Sequence, residues 1–80
     1  MSEKRFTKPV KIRLDKVHVI GSTREAVDFL MSVHWPGERG ARHHEARDTC
    51  LKALDGVRSA AEARHAFVEA AREAGVLLEE

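Results

Sequence analysis

The sequence predicts an α+β domain, a β-hairpin followed by three α-helices, on three observations. Apolar and charged residues alternate strictly over Val10-Lys11-Ile12-Arg13-Leu14, the period of a strand with one buried face. Ser22 and Ser59 each stand three residues before a glutamate at the head of an apolar run, the pattern of a capping box. Gly56 and Gly75 stand where two helical patterns stop, and glycine is the residue that most readily takes the left-handed conformation closing a helix.

Taken in order, residues 1–7 read as a loose leader and residues 8–80 as a single small domain. The first strand opens at Pro9 and turns at Asp15-Lys16, and Val17, Val19 and Ile20 supply the second. A two-stranded hairpin is marginal alone and must pack on something. The first helix is expected from Thr23 to His34. Its Ala26, Val27, Phe29, Leu30, Met31 and Val33 span an apolar arc of about 200°, enough to pack on two sides. Trp35-Pro36 ends it, because the residue before a proline is pushed out of the α region. The second helix covers Ala41 to Leu54, with an apolar stripe of Ala46, Cys50, Leu51, Ala53 and Leu54 into which His43 and Arg47 also fall. The third covers Ala60 to Ala74. Ala63, Ala70, Ala71 and Ala74 flank Phe67 on its stripe, and Glu62, His65, Glu69, Arg72 and Glu73 lie opposite. Residues 76–78, Val-Leu-Leu, are expected as a docked tail or a third strand beside the hairpin.

Eighty residues bury only about 60–65% of the surface of the unfolded chain, which leaves little room for a deep pocket beside a complete core. Hydrophobic residues at 42% and charged residues at 34% suit a folded domain rather than a disordered one. The net charge of +1 argues neither for nor against nucleic acid. It is unevenly divided: residues 1–40 carry 8 basic and 5 acidic side chains, and residues 41–80 carry 6 and 8. A single cysteine, Cys50, allows no intrachain disulfide, the N-terminus has no apolar signal segment, and no stretch is long enough to span a bilayer. A cytoplasmic protein is expected.

The pieces also come in a distinctive order. Pro9-Val10 begins a strand, Ser22-Thr23-Arg24-Glu25-Ala26 leads to Asp28-Phe29-Leu30, and Trp35-Pro36 follows. Arg39-Gly40 then precedes the run Ala46 to Leu51, Ala53-Leu54-Asp55-Gly56, and Ala63-Arg64 through Phe67 to Ala70-Ala71. This ordered set resembles a bacterial family of small proteins, domain-of-unknown-function family 982. The resemblance implies no activity, cofactor or catalytic residue.

Function must therefore be sought in the residues themselves. The segment Arg39-Gly40-Ala41-Arg42-His43-His44-Glu45-Ala46-Arg47, with Trp35 upstream, gathers three arginines and two histidines around a helix N-terminus. Free helix N–H groups and bidentate guanidinium donors attract a phosphate or carboxylate, so Trp35, Arg39, Arg42, His43, His44 and Arg47 are the candidate anion or partner site. The structural alternative is a solvated helix start, with Arg47 laying its stem over the core and Trp35 closing the end of the first helix. Lys8, Lys11, Arg13, Arg39 and Arg42 form a second candidate surface, for nucleic acid. A helix-turn-helix is disfavoured, since the third helix carries Glu62, Glu69 and Glu73 where DNA phosphates would lie.

His44-Glu45-Ala46-Arg47 begins like the zinc-protease helix motif, but Asp48 occupies the position of its second histidine. His43 and Cys50 stand about 10 Å apart along the helix, so no metal and no cofactor is expected. No nucleophile motif or phosphate loop is present, and Cys50 falls mid-helix on an apolar stripe. The expectation is a small non-catalytic binding or regulatory module with a protein partner, self-association through a strand edge included. A nucleic-acid-associated accessory protein is the alternative.

Overall fold

The computed structural model describes residues 5–36 and 39–79. The chain runs β1 (Arg5–Arg13), β2 (Val17–Ser22), α1 (Thr23–Leu30), α2 (Ala41–Leu54), α3 (Ala60–Ala74) and β3 (Leu77–Glu79). The three strands make one antiparallel sheet in the order β2-β1-β3, so the C-terminal segment is a third strand and the first strand is central. The predicted α+β class and the element order hold.

The alternation read from the sequence sets the two faces of the sheet. Val10 and Ile12 are fully buried, whereas Lys11 and Arg13 point outward with Val19 and Val17 as their cross-strand neighbours. β1 begins earlier than the expected leader allowed. Arg5 pairs with Ser22, and Phe6 is buried, after a register shift that places three extra residues on β1 between Arg5 and Val10. Residues 1–4, the rest of that leader, lie outside the described residues.

Both serine caps form. The Ser22 hydroxyl accepts the Glu25 N–H at 3.2 Å, and the Glu25 carboxylate reaches back to the Gly21 N–H at 3.1 Å. At α3 the box is complete, with Ser59 and Glu62 each accepting the other's backbone N–H. That backbone bond, more than any other cause, lowers the pKa of the exposed Glu62 carboxyl.

The C-terminal glycine caps also form, at φ of +82° for Gly56 and +74° for Gly75. Each is followed by a residue whose N–H reaches back to the last turn: Val57 to the Lys52 carbonyl and Val76 to the Ala71 carbonyl. The Gly75 turn matters most for the fold. It reverses the chain so that the Val76 carbonyl accepts the Arg13 N–H at 2.8 Å, which starts β3 along β1.

α1 is four residues shorter than predicted. It ends at Leu30, and Ser32 then turns the chain, its hydroxyl accepting the His34 N–H and its carbonyl the Trp35 N–H. Met31 and Val33 consequently leave the apolar arc and stand 53% and 89% exposed. Burial of Trp35 explains the early stop. The turn brings the indole back onto the core, where its ring lies 5.9 Å from Phe67 and 5.6 Å from His43. Phe67 is the largest fully buried side chain, and small residues line the close α2–α3 contact: Ala46, Cys50 and Ala53 from one helix, Ala63, Ala70 and Ala71 from the other.

Candidate functional site

α2 opens on Gly40, which has no side chain to cap the free N–H groups behind it. The acceptor comes from α3. Glu73 places Oε2 3.4 Å from the Arg42 N–H, and both its carboxylate oxygens lie 3.1 Å from where a Cβ on Gly40 would stand. A carboxylate of the chain itself thus stands at this helix N-terminus. Glu73 is exposed, as the helical periodicity predicts, and reaches the α2 N-terminus from that solvent face. The available signal was a helix beginning on a glycine, which needs an acceptor from elsewhere.

The cationic residues around that N-terminus each have a partner within the chain. Arg39 donates to the Ser32 carbonyl, the Arg42 guanidinium lies 3.6 Å from Glu45, and Arg47 stands 3.3 Å from the His44 ring. Trp35 and His43 are not presented to a partner at all, being 5% and 3% exposed. Nε2 of His43 lies 2.5 Å from the Leu30 carbonyl, so Nε2 carries the proton and donates it to one of the orphan carbonyls that end α1. Of the six candidate residues, Trp35 and His43 are parts of the core, while Arg39, Arg42 and His44 face solvent and Arg47 is half-buried.

Three of the nucleic-acid candidates lie on β1 and two at the head of α2. Lys11 and Arg13 share the outer face of the sheet, where Lys11 is 3.9 Å from Glu79. Lys8 lies in the irregular part of β1 and lines a shallow hollow of about 350 Å³ with Thr7, Ala61, Arg64, His65 and Val68. There the Arg64 Nε donates to the Lys8 carbonyl at 2.7 Å, tying α3 to β1. Arg39 and Arg42 belong to the α2 end described above.

Among the described residues no group of three or more metal-ligating side chains comes together. Cys50 is fully buried, with Sγ 3.7 Å from the Ala63 carbonyl, and burial pushes its thiol up to about 12. A thiol held protonated in an apolar contact is a packing residue rather than a nucleophile.

β2 is an edge strand, and its six residues, Val-His-Val-Ile-Gly-Ser, include neither a charged side chain nor a proline. Charge, proline, bulges and short length are the usual devices that keep a sheet edge from pairing with another chain. The opposite edge has three of them: β3 is three residues long, includes Glu79, and shifts register against β1. β2 pairs in regular register from Val17 to Ile20 and exposes Val17 and Val19 at 52% each.

The model of a family described as a protein of unknown function, DUF982, matches the chain over residues 8–78. The chain belongs to the DUF982 family. The match takes in every segment of the ordered set described above and all of β2, α1, α2 and α3. No curated protein and no solved structure matches this DUF982 chain. Among its described residues, no helix is long and apolar enough to cross a membrane.

Proposed function

We propose that the protein is a small non-catalytic binding module that takes an extended segment of a protein partner onto the open edge of β2. The observation that carries this is the uncharged, regular and exposed β2 edge. Strand addition draws its affinity from main-chain hydrogen bonds and its specificity from alternate side chains. β2 supplies both: Val17 and Val19 project from one face as apolar contacts, and His18 lies against Phe29 on the other, with ring centroids 4.8 Å apart. The candidate cations on α2 do not compete with this reading, because Glu73 and Glu45 already stand beside them.

The test is site-specific photo-crosslinking in cells that make the protein. A benzoylphenylalanine placed at Val17 is expected to give a discrete adduct, whereas the same probe at Val57, 64% exposed at the far end of α2, gives none. Equal labelling at the two sites, or none at Val17, refutes the reading.

A further inference from the structure

The partner of this edge can be specified further, on the reading that β2 is the binding surface. The backbone bonds on the other side of β1 determine which groups the edge presents. The Arg13 N–H donates to Val76, on the β3 side of β1, so the backbone of Arg13 faces away from β2. Arg13 and Val17 are then a pair without mutual hydrogen bonds, and alternation along an antiparallel ladder makes Lys11 and Val19 another. Ile12 with His18 and Val10 with Ile20 are the bonded pairs.

Val17, Val19 and Gly21 therefore turn their N–H and C=O groups outward. Gly21 bears this out independently, since its N–H is met from outside the sheet by the Glu25 carboxylate at 3.1 Å. That contact closes the edge at one end, and the Asp15-Lys16 turn closes it at the other. Between them the edge offers both the N–H and the C=O of two residues, Val17 and Val19, while Gly21 presents only its carbonyl.

This arrangement is complementary to itself. We propose that the occupant is a second copy of this chain, paired antiparallel through β2 about a two-fold axis at His18. In that register Val17 of each copy faces Val19 of the other, and all four outward N–H groups meet the four outward carbonyls. The same operation brings four valine side chains together on the outer face, covering surface that is half exposed in the single chain. The two His18 side chains meet each other at the axis, on the face opposite the valines, while Lys16 falls opposite Ile20 and Asp15 opposite Gly21, so no lysine or carboxylate faces its like across the seam. A partner of different sequence would have to match the same two-residue opening between Gly21 and the turn, whereas a second copy matches it by construction. The product is a six-stranded sheet whose edges are the two short, acidic β3 strands. Four hydrogen bonds and a small apolar seam make a weak dimer, well below the roughly 1,600 Å² of a standard interface.

Sedimentation of the purified full chain over about 5–500 µM, the range a small interface requires, tests this. The expected result is a concentration-dependent rise from 9.0 kDa to twice that mass, with the Val17 and Val19 amides shifting in NMR spectra over the same range. Val19→Pro removes an outward N–H together with one valine of the seam, at an edge position where proline is tolerated, and should leave the circular dichroism spectrum intact while abolishing the rise. Val19→Lys, which restores a guarded edge, should do the same should the proline variant fail to fold. A chain that stays at 9.0 kDa throughout, or variants that fold and dimerise like the wild type, overturns the dimer. A monomer that still forms a discrete cellular adduct at Val17 overturns the dimer alone and leaves the binding-module reading standing.

Discussion

His43→Leu separates the two roles that the sequence left open for this residue. The leucine keeps the volume nearly constant, so the cavity contribution is small. It removes the donor to the Leu30 carbonyl and leaves that buried acceptor without its partner, which costs about 1–3 kcal/mol. It also removes the ring contact with Trp35 at 5.6 Å, worth about 0.5–1.5 kcal/mol. The expected loss is about 2–4 kcal/mol from the two terms together. A domain of this size rarely has more than about 3–5 kcal/mol in hand, and each kcal/mol moves the melting temperature by about 4–8 °C. Thermal unfolding followed by circular dichroism should therefore show a drop of about 8–30 °C, or a chain already unfolded at room temperature. His44→Leu is the matched control. His44 is exposed, and the same substitution there should change stability by no more than about 0.5 kcal/mol. Equal small effects at the two positions would refute the placement of His43 in the core and return it to the surface of α2.

Three further outcomes follow from the packing and the caps. Phe67→Ala deletes the largest fully buried side chain and should cost about 3–5 kcal/mol, enough to unfold the domain; a melting temperature within a few degrees of the wild type would contradict its central position. Glu73→Ala strips the acceptor from the α2 N-terminus and should lower stability by about 0.5–2 kcal/mol in chemical denaturation, whereas an unchanged midpoint would mean that solvent caps that helix equally well. The Cys50 thiol should resist a thiol-specific reagent at pH 8 in the folded chain and react at once in denaturant. Because its folded pKa is raised, from 9.0 to about 12, the unfolded thiol ionises first. Stability should then fall as pH rises between those values, by up to about 1.4 kcal/mol per pH unit, and Cys50→Ala should remove that component of the slope in alkaline denaturation.

The elements and most of their ends are legible from the order of residues alone, because these depend on neighbours a few residues apart. The alternation at 10–14 needs only a sheet with one wet face, the Ser22 and Ser59 caps reach three residues, and Gly56 and Gly75 act on the turn they close. The buried character of Cys50 and Phe67 also followed from helical periodicity alone. Long-range packing governs whatever requires two distant segments to meet. It shortened α1 at Leu30, because burying Trp35 against Phe67 and His43 outweighs four more residues of helix. It filled the α2 N-terminus with Glu73, thirty-one residues away from Arg42, where local sequence showed only an inviting cluster of arginines. It placed β1 between β2 and β3, and so made β2 an edge. No pattern within Val17–Ser22 could announce that, since the same six residues in a central strand would have every backbone group paired.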